Sequence, residues 1–317
     1  MVYTIPRTFV IALGGNSILR VSERRTFEVQ YLNLQETSQQ LLEILANGNR
    51  IVITHGNGPQ VGDMLLASEL AKKEVPYMPL DICVAATQGY MGYMIQNTLA
   101  NTLRENGLRH NITTVISQVV IDSEDPAFKE PTKPVGPFYN SSEAQKLRGE
   151  RGWTIIKEGA RGYRRVVPSP KPLNIQQARI ITSMLDAGEI VIAIGGGGIP
   201  MKRGDKRRLE GVAAVIDKDY ASSRLAVQLE ADVFLILTSV EYVFRDFGLP
   251  SQQAINHMSL TEAKELLAEG QFGIGSMAPK IGAAIEFLEE RDGEVIITLP
   301  ETANKALQGK TGTRITR

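Results

Sequence analysis

Short runs of aliphatic and β-branched residues recur along the chain, separated by longer stretches whose apolar positions fall three and four apart. Six runs predict strands: Phe9–Leu13, Arg50–Thr54, Ile112–Ser117, Ile190–Ile194, Val233–Leu237 and Val295–Thr298. They are apolar almost throughout, the pattern of parallel strands covered on both faces. Phe27 to Ala46 has the helical period, with apolar residues at 27, 31, 34, 41, 42 and 45 and then Asn47-Gly48 as a stop. Ile175 to Ala187 ends in the same way at Gly188, and Ala221 to Leu229 is a third helical pattern. Ser259-Leu260-Thr261-Glu262 reads as a capping box that opens a helix. Strands alternating with helices predict an α/β fold with a mainly parallel sheet between helical layers.

One segment breaks this rhythm. Between Asp122 and Pro172 stand Pro126, Pro131, Pro134, Pro137, Pro168, Pro170 and Pro172. Prolines at this density suit an irregular or small antiparallel excursion better than another βα unit. Residues 122–172 are therefore expected to form a small subdomain inserted into a single domain that spans 1–317.

Composition narrows the classes. The 35 basic and 35 acidic residues cancel, so the basic excess of a nucleic-acid binder is missing. A single cysteine, Cys83, excludes an intrachain disulfide and a cysteine-built zinc site. Met1 to Thr8 lacks a signal-peptide core, and runs such as Val233–Leu237 are too short to span a bilayer. The expectation is a cytoplasmic protein with neither nucleic acid nor membrane as partner.

Candidate chemistry lies where strands end. Leu13 gives way to Gly14-Gly15-Asn16, Thr54 to His55-Gly56-Asn57-Gly58-Pro59, and Ile194 to Gly195-Gly196-Gly197-Gly198. In an open α/β sheet, ligands bind beyond the carboxyl ends of the strands. Glycine there admits positive φ and leaves no Cβ between backbone N–H groups and an anion. The standard phosphate motifs do not fit. The last glycine of Gly-x-Gly-x-x-Gly would fall on Pro200 or Val61, and the P-loop-like Gln308-Gly309-Lys310-Thr311 has Asn304 at its first glycine place. It reads as a turn.

Three lysines stand in marked contexts: Pro-Thr-Lys-Pro at Lys133, Ile-Asp-Lys-Asp at Lys218 and Gly-Ser-Met-Ala-Pro-Lys at Lys280. Lysine is a compact charge suited to phosphate oxygens. Glycine loops plus lysines suggest phosphoryl transfer. Either aspartate beside Lys218 could equally be a helix N-cap. His55 is expected to make a structural hydrogen bond rather than take part in chemistry, and His110 and His257 to be exposed.

Seven segments in order carry a resemblance along nearly the whole chain: Ile-Ala-Leu-Gly-Gly-Asn at 11–16, Thr-His-Gly-Asn-Gly-Pro-Gln-Val-Gly at 54–62, Pro-Thr-Lys-Pro-Val-Gly at 131–136, Arg-Arg-Val-Val-Pro-Ser-Pro at 164–170, Gly-Gly-Gly-Gly-Ile-Pro at 195–200, Val-Ile-Asp-Lys-Asp at 215–219 and Gly-Ser-Met-Ala-Pro-Lys at 275–280. Together they resemble the carbamate kinases, a branch of the amino acid kinase superfamily. The resemblance implies a three-layer α/β/α sandwich with a protruding subdomain, and the reaction ATP + carbamate ⇌ ADP + carbamoyl phosphate, usually drawn on for ATP synthesis. It implies that Lys133, Lys218 and Lys280 contact the phosphates and the transferring group, with Asp219 orienting the lysines. Gly14, Gly15, Asn16, Gly56, Asn57, Gly58, Gly196 and Gly197 would hold the substrate and the γ-phosphate. Thr238, Ser239, Val240, Val243, Phe247, Gly248 and Met277 would line the adenosine pocket. Mg²⁺ would ride on the nucleotide with no protein ligand, and a homodimer is implied.

Related amino acid kinases carry a lysine two residues before the first glycine pair; here that place is Ala12. Lys133 would then supply the charge from the inserted subdomain. Two alternatives remain at this level: a kinase for another small carboxylate, and a nucleotide-binding sensor without turnover. Whether the carbamoyl phosphate comes from arginine or from purine-derived carbamoyl compounds is also open.

Overall fold

A computed structural model describes residues 6–20, 23–273 and 275–317, with Asn16 and Ala160 described by backbone alone. All six predicted strand regions enter one eight-stranded sheet. Across it the order is His257–Ser259, Thr313–Thr316, Glu294–Thr298, Val233–Leu237, Thr8–Leu13, Arg50–His55, Ile190–Ile192 and Ile112–Thr114. Every pairing is parallel except that of Glu294–Thr298 with Thr313–Thr316. Buried side chains of each central strand divide between two cores. Phe9, Ile11 and Leu13 join one, while Val10 and Ala12 join the other. That period of two, with both halves apolar, is the continuous run seen in the sequence. Helices Phe27–Ala46 and Leu80–Glu105 cover the first face; Ala178–Asp186, Lys218–Gln228 and Met277–Glu290 cover the second.

Local signals act as read. Phe27–Ala46 is a helix, and Gly48 beyond its end has φ +69°. Ser259 and Glu262 form both halves of the capping box. Two boundaries move. The helix expected from Ile175 begins at Ala178, because Pro172–Ile175 is a strand paired with Gln118–Ile121. The strand from Ile112 ends at Thr114, and Ser117 leaves the sheet to serve the third glycine turn: its Oγ accepts from Ile194 N at 3.0 Å.

A second, four-stranded sheet, ordered Leu209–Gly211, Ile199–Arg203, Gln118–Ile121 and Pro172–Ile175, was not evident in the sequence. Between its last two members in that order, the chain makes a separate antiparallel sheet, Lys133–Tyr139, Tyr163–Val167 and Ile155–Lys157, with the helix Ser141–Arg151. Val135 and Val167 of this sheet pack on Val61 and Leu65 of the helix Gly58–Ala71. Among the described residues, no helix is long and apolar enough to cross a membrane.

Candidate active site

The chain fills the sheet in two directions from Thr8–Leu13: toward Arg50–His55 on one side and Val233–Leu237 on the other. Such a reversal leaves a crevice beyond the strand ends. Here Gly14 follows the first strand, and a Cβ on it would lie 2.5 Å from the Leu237 carbonyl oxygen. Only glycine lets the two strand ends approach this closely. A cavity of about 560 Å³ opens at this point, lined by Gly14, Gly15, Thr238, Ser239 and Val240 below and by Phe244, Phe247, Phe272 and Met277 around it. Lys218 and Lys280 also line it.

The glycines of the second and third turns lie outside the cavity's lining and pack the turns against one another and under Lys218. The stem of Lys218 passes over Gly56, whose Cβ would sit 3.5 Å from Lys218 Cδ. A Cβ on Gly195 would lie 2.5 Å from His55 Nε2, one on Gly196 2.0 Å from Asn57 Oδ1, and one on Gly197 2.3 Å from the Ile216 oxygen. Gly196, Gly197 and Gly198 have φ of +65°, +89° and +85°. The run of glycine is therefore required residue by residue: the turn is wedged between two others and bends where side chains cannot follow. Before it, Ile194 has φ +49°, a strained conformation for a β-branched residue, held by the Ser117 hydroxyl. Gly196 and Gly197 are buried, bring the loops together, and do not line the cavity.

Asp219 is the centre of the charge network. It is 3% exposed, in the first turn of the helix Lys218–Gln228. Lys218 Nζ donates to its Oδ1 at 2.6 Å and Lys280 Nζ to its Oδ2 at 3.1 Å. Burial alone would raise the carboxyl's pKa; the charges and hydrogen bonds of Lys218 and Lys280 outweigh it and hold Asp219 below the usual carboxylate range. Asp217 is the N-cap, its Oδ1 accepting from Asp219 N at 2.9 Å. Its other oxygen accepts from Lys133 Nζ at 2.9 Å. Neighbouring aspartates thus hold all three lysines, two by Asp219 and one by Asp217.

His55 is buried, and its Nδ1 lies 3.0 Å from the Gly56 carbonyl oxygen. That oxygen can only accept, so Nδ1 carries the proton. Desolvation is the main cause that pulls its pKa down to about 4, leaving a neutral ring that braces the turn. Asn57 donates its amide to Thr87 Oγ1 at 2.8 Å, and it makes no side-chain cap on the helix Gly58–Ala71 that it precedes. The side chain of Asn16 lies outside the described residues.

Of the residues expected at the adenosine pocket, Thr238, Ser239, Val240, Phe247 and Met277 line the cavity. Val243 and Gly248 do not. Val243 is 0% exposed in the core, and Gly248 turns at φ +81° with its N–H on Gln252. Phe244, Gln271, Phe272, Gly273, Gly275 and Ser276 line the cavity and were not anticipated. The strand Val243–Arg245 alternates, so Val243 faces the core and Phe244 the cavity. Among the described residues, no group of three or more His, Cys, Asp or Glu side chains is gathered as a metal cage.

The amino acid kinase family profile matches residues 7–298. Carbamate kinase of Thermococcus kodakarensis is 44% identical over 311 residues, covering 97% of this chain and 98% of that one. Carbamate kinase-like protein YqeA of Escherichia coli is 42% identical over 313 residues, covering 98% and 99%. Carbamate kinase from Giardia lamblia bound to AMP-PNP superimposes with a TM-score of 0.94 at 40% identity, covering 98% of both chains.

Proposed function

We propose, from the premise that the chain belongs to the amino acid kinase family and within it to the carbamate kinases, that it transfers a phosphoryl group reversibly between ATP and carbamate. A carbamate oxygen attacks the γ-phosphorus, the bond to the β-bridging oxygen breaks, and ADP and carbamoyl phosphate result. Carbamate is already an anion, so no proton need be removed and no general base is required. Phosphoryl transfer asks mainly for positioning and charge neutralisation.

The observation that carries this reading is the clamp of Lys218 and Lys280 on buried Asp219, the two lysines lining the same cavity as Gly14 and Gly15. In this reading the two ammonium groups meet the transferring phosphoryl, where charge is spread over its oxygens. Asp219 fixes their separation. Backbone amides at Gly14, Gly15 and the uncapped start of Gly58–Ala71 would add partial positive charge. Residues 122–172 act as one inserted subdomain, and Lys133 brings its charge from there. Adenosine would occupy the cavity between Thr238–Val240 and Phe244, Phe247 and Met277.

Magnesium would arrive with the nucleotide, since both site carboxylates are engaged by lysines. Its chemistry is to neutralise phosphate charge, and no protein ligand is assigned to it. The reading includes a cytoplasmic homodimer working in the ATP-forming direction. ATP formation from ADP and carbamoyl phosphate, followed by a coupled hexokinase assay, tests it. Binding of ADP without turnover would leave only the nucleotide-binding sensor.

A further inference from the structure

The antiparallel sheet that carries Lys133 meets the helix Gly58–Ala71 at two places. One is the small apolar seam of Val135 and Val167 on Val61 and Leu65. The other, at the far end of that helix, is made of charge and rings. Arg151 Nη1 donates to Glu69 Oε1 at 2.5 Å. The guanidinium carbon of Arg151 lies 5.0 Å from the Tyr77 ring centroid and 5.0 Å from that of Trp153. The Arg165 guanidinium lies 4.2 Å from the same indole. Glu69 and Tyr77 belong to the main body; Arg151 ends the helix Ser141–Arg151, Trp153 lies in the connection from it to the strand Ile155–Lys157, and Arg165 lies in the strand Tyr163–Val167 beside Lys133–Tyr139.

We infer that Glu69 and Arg151, with Tyr77 and Trp153 packed on the guanidinium, form a latch that seats this sheet and so positions Lys133 at Asp217. The path is short. In the pairing of Lys133–Tyr139 with Tyr163–Val167, Lys133 stands opposite Val167 and Val135 opposite Arg165, so Arg165 is one step of the pleat from the partner of Lys133. Glu69 lies in the same helix that starts from the Gly56-Asn57 turn. The latch therefore ties the carrier of Lys133 to an element that begins at the site. An apolar seam fixes the distance between two surfaces but permits sliding. A hydrogen-bonded, stacked arginine fixes orientation as well. Glu69 and Arg151 touch none of the cavity, so they are positioning residues.

This inference rests on the role given to Lys133 above. Trp153 is the chain's one tryptophan, so its fluorescence reports the latch directly. The test is Glu69→Gln in two backgrounds, wild type and Lys133→Ala. In wild type, kcat should fall roughly tenfold, as a small misplacement of a charged group does, with little change in Tm. Trp153 should become more accessible to acrylamide quenching. In the Lys133→Ala background the same change should cost no further rate. Arg151→Lys, which keeps the charge and loses the stacked plane, should give an intermediate rate and quenching. Unchanged quenching and rate for Glu69→Gln, or an equal loss in both backgrounds, would overturn the latch while the kinase reading stands. A wild-type rate for Lys133→Ala itself would remove the role of Lys133 and the inference with it.

Discussion

The ammonium of Lys133 lies 2.9 Å from the carboxylate of Asp217, a residue 84 positions further along the chain. Asp217 also caps the helix that carries Lys218 and Asp219, so one side chain holds both a helix start and a lysine from another sheet. Asp217→Asn separates these tasks. Asparagine caps as well as aspartate, so unfolding stability should change by only a few tenths of a kcal/mol. The rate should fall, by roughly tenfold, because Lys133 loses its anchor. Lys133→Ala should lower kcat at least as much. Coupled-assay kinetics beside a urea melt check both; a normal rate for Lys133→Ala would detach the antiparallel sheet from the chemistry.

Lys218→Ala and Lys280→Ala should each reduce kcat on the order of a hundredfold or more, the scale for losing a preorganised electrostatic donor. Either variant turning over normally would exclude that lysine from phosphoryl transfer.

Asp219→Asn should cost about 3 kcal/mol of stability or more, since it leaves two ammonium groups at a buried partner that no longer balances them. The pH sense follows from the depressed carboxyl. This stabilisation is complete above the ordinary carboxylate range and is lost as pH falls through the lowered folded-state value. Acid unfolding of the variant should therefore show a shallower stability loss below about pH 4 than the parent. Parallel curves would mean that Asp219 is not the titrating group.

His55 predicts a second acid limb. With the folded-state value near 4 and the ordinary one at 6.5, the unfolded chain binds the proton more readily in between. Stability is thus full above 6.5 and declines as pH drops toward 4, by roughly 3 kcal/mol in all. Urea melts from pH 7 to 4 on the parent and on His55→Gln check this: the variant's profile should be flatter over that interval. An imidazole resonance assigned to His55 that titrates near 6.5 by NMR would contradict it.

The glycines divide into two kinds. Gly196→Ala must displace Asn57 and adopt φ +65°, so it should lose on the order of 1–3 kcal/mol and most activity. A Cβ on Gly15 meets nothing within 4 Å. Gly15→Ala should therefore keep the parental Tm and instead raise the KM for nucleotide or carbamoyl phosphate. An unchanged KM would show that the space over Gly15 is not ligand space.

How far the sequence carried these conclusions depended on what each feature needed. The central strands announced themselves because both faces of the sheet are apolar. Strands such as His257–Ser259 and Leu209–Gly211 are three residues long and mixed in polarity, too short for any period to show. Lys133, Lys218 and Lys280 were legible through their rigid flanking residues, but their sharing of neighbouring carboxylates was not, since that depends on three separate elements meeting. The role of the four glycines was visible as a turn. Its cause, the pressure of His55, Asn57 and Ile216 on each position, requires the fold. Phe244 and Phe272 were missed because an aromatic that walls a cavity has the same local pattern as one in a core.

The strand Thr313–Thr316 lies inside the sheet, between His257–Ser259 and Glu294–Thr298, although both of those precede it. A ribosome therefore delivers both walls of this slot before the piece that fills it. Until residue 316 has emerged, the nascent chain presents two unpaired strand edges, each a template for the wrong neighbour. Synthesis of this protein should be most vulnerable to aggregation, and most in need of a chaperone, in the interval before Thr313–Thr316 is available to fill the slot.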